Sequence, residues 1–365
     1  MDFTRTEAAQ DLSQLVGTIV DAVCTPQRQR ELDGLGQRFD EELWSTLRDA
    51  GVLGAAVPEA LGGAGFGVLE QTAVLTALGR QLAAVPYLES VVLGAGAMDR
   101  SAAGGLRQDW GVPAIAGEKV LTVALDGETG QGPVRAASSD RGFLLTGART
   151  QVPFGPIADA FLVPSETDTG IKIFLVAADD PGVEVTALET TGLNSSGELR
   201  LSEVNLGADR LVGDAQLLSW LATRRALGLA AFQLGVLERA LELTAEYART
   251  REQFDRPIGT FQAVSQRLAD AYIDLKGLRL SCTQAAWRVS EELPAGVEVA
   301  TAAFWAAEAG HRVAHTTVHV HGGVGIDVDH PVHRYFITAK QIEFSLGGAT
   351  AALRAIGREL AETPA

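Results

Sequence analysis

Apolar residues along this chain follow two different periods in three successive stretches. From Phe39 to Leu53 they recur at helical spacing, until Val57-Pro58-Glu59-Ala60-Leu61-Gly62-Gly63-Ala64-Gly65 interrupts them. Glycine at that density marks a loop. A second helical stripe runs from Leu69 to Leu82 and stops near Pro86. Between about Lys119 and Val212 the period shortens. Runs suited to strands, at 120–124, 142–145, 160–163, 171–176, 183–187 and 198–204, alternate with turn signals such as Asp-Gly and Asp-Pro-Gly. This pattern predicts a small antiparallel sandwich or barrel. From Leu217 the helical period returns. Leu227, Ala231, Leu234, Leu237, Leu241, Ala245 and Ala248 step by three and four, as do Val264, Leu268, Ala271, Leu275, Leu278, Cys282, Ala285 and Val289. Two long helices with one apolar stripe each need partners, and a four-helix bundle supplies them. The expected fold is α+β and mostly helical. It has an N-terminal helical domain over 1–115, a middle antiparallel β-domain over 116–213 and a C-terminal four-helix bundle over 214–365.

Composition narrows the function classes. A chain of 365 residues can bury a core without disulfides or metals. Its 46 Asp and Glu against 30 Lys and Arg leave a net charge of −16, the wrong sign for a binder of nucleic-acid phosphates. Cys24 and Cys282 are far apart and read as reduced packing residues. The opening Met1-Asp2-Phe3-Thr4-Arg5-Thr6-Glu7 lacks a basic-then-apolar signal pattern. The longest uncharged apolar stretch, 226–237, is too short to span a bilayer. The expectation is an acidic, soluble, cytoplasmic protein.

Three segments could carry chemistry. All six histidines fall between 311 and 333; His311, His315 and His319 share one helix face, and Glu308 with His311 makes a Glu-x-x-His pair. A di-iron bundle needs a second such pair and two further inward glutamates, and no second pair exists in the sequence. The reading is therefore polar residues at a helix end, with no metal. His319-Val320-His321-Gly322-Gly323-Val324-Gly325 ends an apolar helix in glycines, which suits either a cap or close backbone approach to a ligand. Arg249-Thr250-Arg251-Glu252-Gln253-Phe254-Asp255-Arg256-Pro257-Ile258-Gly259 lies between the two long helices. It reads as a solvated turn, or as an arginine for an anionic group beside an aromatic ring for an adenine-like face.

Together these segments resemble the acyl-CoA dehydrogenase family over essentially the whole chain. Pro58 to Gly65 is similar to a family loop. Tyr247 to Gln262 resembles the family's Tyr-x-x-x-Arg-x-x-Phe-Gly-x-x-Ile-x-x-x-Gln, and His319 to Tyr335 resembles its Gln-x-x-Gly-Gly followed by Tyr-Pro-Val-x-Arg-x-Tyr. The helix, strand, helix order is also the family's.

The resemblance implies FAD at a subunit interface. The contacts that a neighbouring chain makes to pyrophosphate and adenine fall here on Arg251, Phe254, Phe261, Gln262, Gly322 and Gly323, with His319 in place of the family's glutamine. On the flavin-ring side the family's Thr-Glu-Pro-x-x-Gly-Ser-Asp sequence is replaced by Asp126-Gly127-Glu128-Thr129-Gly130-Gln131-Gly132-Pro133. Its Trp-Ile-Ser/Thr segment falls on Gln151-Val152-Pro153, with no aromatic cover. Proline brings neither a hydroxyl nor an N–H. The family's usual catalytic glutamate position is Leu346, and the alternative position used by some members is Arg225. Neither side chain removes a substrate proton; Glu343 and Glu238 are the nearby carboxylates that could take over.

What the resemblance implies is a base-lacking subunit of a heteromeric acyl-CoA dehydrogenase of the actinobacterial, sterol-side-chain kind. The segment 343–350, Glu-Phe-Ser-Leu-Gly-Gly-Ala-Thr, is its most telling stretch. A paralogous chain would carry the glutamate and the ring contacts in an α2β2 assembly with one FAD per heterodimer. The expected substrate is an acyl-CoA, with room for a steroid-CoA, and the expected electron acceptor is electron-transfer flavoprotein. Three alternatives remain: a self-sufficient homotetrameric dehydrogenase with a relocated base, a scaffold that kept the fold and lost flavin, and, third, a metal-dependent bundle.

Overall fold

The computed structural model describes residues 3–101, 104–126, 131–140 and 142–362. The chain begins with helices α1 (Glu7–Val23), α2 (Pro26–Asp33), α3 (Glu41–Asp49) and α4 (Val68–Arg80), followed by a wide π-helical segment at Tyr87–Ala95. Their starts are written in the sequence. The hydroxyls of Thr6 and Thr25 and the Asp40 carboxylate each accept a backbone N–H of the first turn, and Glu70 reaches back to the Gly67 N–H at 2.9 Å. Cys24 and Cys282 are buried and free of disulfides.

Among the described residues eight strands follow in one sheet: β1 (Leu121–Val123), β2 (Val134–Ser139), β3 (Gly142–Pro153), β4 (Ala160–Thr167), β5 (Gly170–Ala177), β6 (Val183–Ala187), β7 (Ser196–Leu206) and β8 (Leu211–Asp214). The order is β6-β7-β3-β2-β4-β5-β8, with β1 also on β4. Pairing is largely antiparallel, as expected, but β4 runs parallel to both β1 and β2. On β4 and β5, Phe161, Val163, Phe174 and Val176 fill the interior of the sheet domain. The alternate residues Ala160, Leu162, Ile173 and Leu175 join the N-terminal helical core. These strands are buried on both faces, which is why they read as continuous apolar runs.

Helix α5 (Ala215–Thr250) opens the C-terminal part. A two-stranded hairpin, β9 (Glu252–Gln253) with β10 (Arg256–Pro257), leads to α6 (Gln262–Ser290), α7 (Gly296–His321), α8 (Val332–Ser345) and α9 (Gly348–Glu362). Helices α5 to α8 share a core of Leu234, Leu237, Leu275, Leu278, Ala306, Val313 and Ala339. Helix α9 packs on α7 as an addition to the expected four. Helix α5 also crosses α4 at close range, and Thr76 Oγ1 donates to the Ala231 carbonyl at 3.1 Å. The α4–α5 crossing, the Tyr87–Ala95 segment, the β3 end and α8 line a cleft.

Candidate functional site

The cleft has a volume of about 510 Å³. Leu75 and Leu78 of α4, Leu88 of the π-helical segment, and Leu229 and Phe232 of α5 make its apolar wall. Gln151, Pro153 and Phe154 enter at the end of β3, and Thr338, Gln341 and Ser345 enter from α8. The β3 end is irregular: the register slips between Arg149 and Val152, and Gln151 and Phe154 both take left-handed φ values, 57° and 52°. Pro153 has no N–H, and its carbonyl accepts from Thr122 Oγ1 at 2.5 Å. The aromatic ring absent from Gln151–Pro153 appears one residue later, as Phe154 lines the cleft. Of the sequence stretch 126–133, residues 127–130 lie outside the described residues.

Of the two sequence positions for a catalytic carboxylate, Arg225 lines this cleft and Leu346 lies beside it, next to the lining residue Ser345. Arg225 donates from Nη1 to the Ser345 carbonyl at 3.2 Å and pairs through Nη2 with Asp126. Leu346, the next residue, packs against the bundle core. The carboxylates considered as substitutes are engaged elsewhere. Glu238 is held by Arg80 at 3.0 Å and Arg279 at 2.6 Å. Glu343 is held by Lys340 at 2.5 Å and faces His311 at 3.3 Å. Neither lines the cleft.

A third carboxylate does. Glu89 projects into the cleft from the otherwise apolar segment Tyr87–Ala95. Burial raises its carboxyl to about 7, against the opposing influences of its own backbone N–H and of Arg225. Sequence reading passed over Glu89. The available signal was one acid within Tyr87-Leu88-Glu89-Ser90-Val91-Val92-Leu93, where an apolar run leaves a charge few partners.

The residues matched to adenine and pyrophosphate contacts lie elsewhere, at the far end of the bundle, and none lines the cleft. Arg251 caps α5, is exposed, and makes no ion pair among the described residues. Phe254 and Asp255 form the hairpin tip, both with positive φ, 54° and 58°, as a two-residue primed turn requires. Phe254 is 85% exposed and meets Phe261 edge-on at 6.1 Å, while Arg256 sits over the Phe261 ring at 4.2 Å. Gln262 opens α6 and is exposed.

At the end of α7, His319 is exposed and Gly322 turns the chain with φ 64°. Added Cβ atoms at Gly322 or Gly323 would meet nothing within 4 Å, which leaves their backbone open to a ligand. Tyr247 stacks on His321 at 4.4 Å, which joins the Arg251 segment to the Gly322–Gly323 turn. The donors and the open backbone fit the anionic half of a dinucleotide. Pro153 does not fit a flavin ring that needs a hydroxyl and an N–H donor at that residue.

The remaining histidines serve packing. His311 contacts Lys340 at 2.9 Å, and His315 meets Phe336 edge-on at 5.3 Å. Among the described residues no three His, Cys, Asp or Glu side chains gather as metal ligands, and no helix is long and apolar enough to cross a membrane.

Comparison with known proteins completes the picture. The acyl-CoA dehydrogenase N-terminal domain model matches residues 6–118, and the acyl-CoA dehydrogenase C-terminal domain model matches 216–361. The chain is 69% identical to acyl-CoA dehydrogenase FadE27 of Mycobacterium tuberculosis, with both chains covered in full. It superposes with TM-score 0.98 and 70% identity on a chain of the ChsE4-ChsE5 complex from Mycobacterium tuberculosis, covering 100% of each. It superposes with TM-score 0.92 and 38% identity on a chain of a variant of the Tcur3481-Tcur3483 steroid ACAD, covering 98% of this chain and 99% of that one.

Proposed function

The chain belongs to the acyl-CoA dehydrogenase family, and we propose that it acts there as the partner subunit of a hetero-oligomeric enzyme. In this reading a paralogous chain carries the reacting carboxylate and the ring contacts of FAD. This chain supplies the adenine and pyrophosphate contacts from Arg251, Phe254, Phe261, Gln262, His319, Gly322 and Gly323. The carrying observation is the Arg225–Ser345 bond beside Leu346. It fills with a cation and a leucine the two places where a base would stand.

The chemistry sets what is missing. Desaturation of a CoA thioester requires a carboxylate at the α-proton and a hydride acceptor facing the β-carbon. Bound FAD supplies that acceptor. Here Pro153 offers neither hydroxyl nor N–H, so a second flavin ring would lack that donor pair at the end of β3. Related solved structures named as two-component complexes, one a steroid ACAD, support an α2β2 assembly and a sterol-type CoA thioester. Electron-transfer flavoprotein is the acceptor consistent with the family.

Glu89 favours a second reading, in which the chain is self-sufficient and this residue is the base. The visible spectrum separates the two. The chain purified alone is expected to be colourless, and its complex with the paralogue yellow at about one FAD per two chains. One FAD per isolated chain, with turnover abolished by Glu89→Gln, would establish the second reading instead.

A further inference from the structure

If the cleft of this chain is not reserved for a flavin ring and a reacting thioester, its remaining chemistry asks for another ligand. Its ionisable lining is Arg38, Tyr87, Glu89, Asp126, Arg225 and Lys340, and burial pushes the Tyr87 hydroxyl well up. Arg38 is committed to Asp33 and Gln29, and Lys340 to Glu343 and His311. Arg225 and Glu89 are the pair with capacity left. Arg225 uses each terminal nitrogen once, and its ion partner Asp126 is 36% exposed, a replaceable anion at the mouth. Glu89 has no ion pair among the described residues and stands within electrostatic reach of Arg225. Next to them runs the wall of Leu75, Leu78, Leu88, Leu229 and Phe232.

We propose that this cleft binds an apolar carboxylic acid, free of CoA, with its carboxylate on Arg225 and Glu89 and its hydrocarbon along the leucine wall. The inference rests on the partner-subunit reading, which leaves the cleft without a flavin ring. A guanidinium fork matches a carboxylate and gains little from an uncharged thioester. Glu89 accepts this neighbour because its burial keeps a proton near neutrality, so its O–H donates to the bound anion. A bound anion favours the protonated acid further. Binding therefore tightens below about pH 7 and weakens above it, with Asp126 the competing partner of Arg225.

The test is calorimetric titration of the complex with the paralogue, using sodium decanoate as probe and 1-decanol as its uncharged counterpart, with FAD counted on the same samples. The difference between the wild type and Arg225→Leu isolates this site from any on the paralogue. The expected result is a decanoate site at least about tenfold tighter than for decanol, lost in Arg225→Leu and weakened in Arg225→Lys. Glu89→Gln should keep the site and lose its pH dependence. Equal affinity for decanoate and decanol, or decanoate binding unchanged in both arginine variants, overturns the proposal. With one FAD per two chains such a failure leaves the partner-subunit reading standing. A full FAD per chain refutes that reading itself and makes the cleft a flavin site.

Discussion

Arg225 Nη1 lies 3.2 Å from the carbonyl oxygen of Ser345, so the middle of α5 is tied to the residue preceding Leu346 at the end of α8. The same guanidinium pairs with Asp126 just after β1. Three parts of the chain thus meet on one side chain. The arrangement secures the cleft from the position where the family alternative would place a proton acceptor.

Arg225→Leu should cost about 2 kcal/mol. A hydrogen bond from a charged donor contributes about 1.5–3 kcal/mol, while the half-exposed Asp126 pair adds at most about 1 kcal/mol after solvent screening. Urea unfolding is the check. The midpoint should fall with an unchanged slope, and an unmoved midpoint would show the contact to be incidental.

Gly235 on α5 is expected to reject a methyl group. A Cβ there would lie 2.0 Å from the Thr76 carbonyl oxygen, and one at Gly79 on the facing helix would lie 2.1 Å from that of Phe232. Both obstacles are backbone and have no rotamer in which to move aside. Gly235→Ala should therefore destabilise by about 2–3 kcal/mol. Gly17 in α1 has nothing within 4 Å of its Cβ position, so Gly17→Ala should be neutral or stabilising by up to about 1 kcal/mol. Equal melting temperatures for the two variants would disprove the close crossing.

What was legible in the sequence followed burial. The strands β4 and β5 are buried on both faces and announced themselves as apolar runs. Strand β2, Val-Arg-Ala-Ala-Ser-Ser, buries only Val134 and Ala136 and escaped notice, and β8 and the β9–β10 hairpin are too short for a period to show. The parallel pairing of β4 with β1 and β2 depends on long-range register, which no local pattern carries. At the site, the family resemblance pointed to Arg225, Leu346 and the Arg251 to Gln262 segment. It could not show that Glu238 and Glu343 are held in ion pairs or that Ser345 accepts from Arg225. Glu89 was missed because a single acid in an apolar helix has no period.

Arg251 offers an exposed guanidinium without an ion pair among the described residues, beside the open Gly322–Gly323 backbone. In the partner-subunit reading this unpaired guanidinium awaits a pyrophosphate. Arg251→Ala should weaken FAD retention by the complex roughly tenfold to a hundredfold, from the loss of about 1.5–3 kcal/mol of charge-assisted bonding. Turnover per remaining flavin should not change, since the reacting groups are on the other chain. Flavin absorbance after extensive dialysis gives the answer, and full retention by the variant would favour the scaffold alternative.

His321 makes stability at this end of the bundle depend on pH. Its ring is 4% exposed beneath Tyr247, and its Nδ1 lies 2.8 Å from the Thr317 carbonyl. Burial lowers its pKa below 6.5, more than the Thr317 bond raises it, and the neighbouring His330 is lowered in the same direction. The unfolded chain therefore binds more protons than the folded one just below 6.5, and stability rises with pH there. The contribution is complete above 6.5 and is lost as pH falls through the lower folded value. His321→Phe keeps a ring on Tyr247 and removes the titration, at a cost of about 1 kcal/mol for the lost hydrogen bond. Its melting temperature should start lower near neutrality and decline less steeply on acidification. Carboxylates elsewhere contribute the same slope to both proteins, so the difference between the two curves is the measurement. Parallel curves would mean that His321 titrates as it does in the unfolded chain.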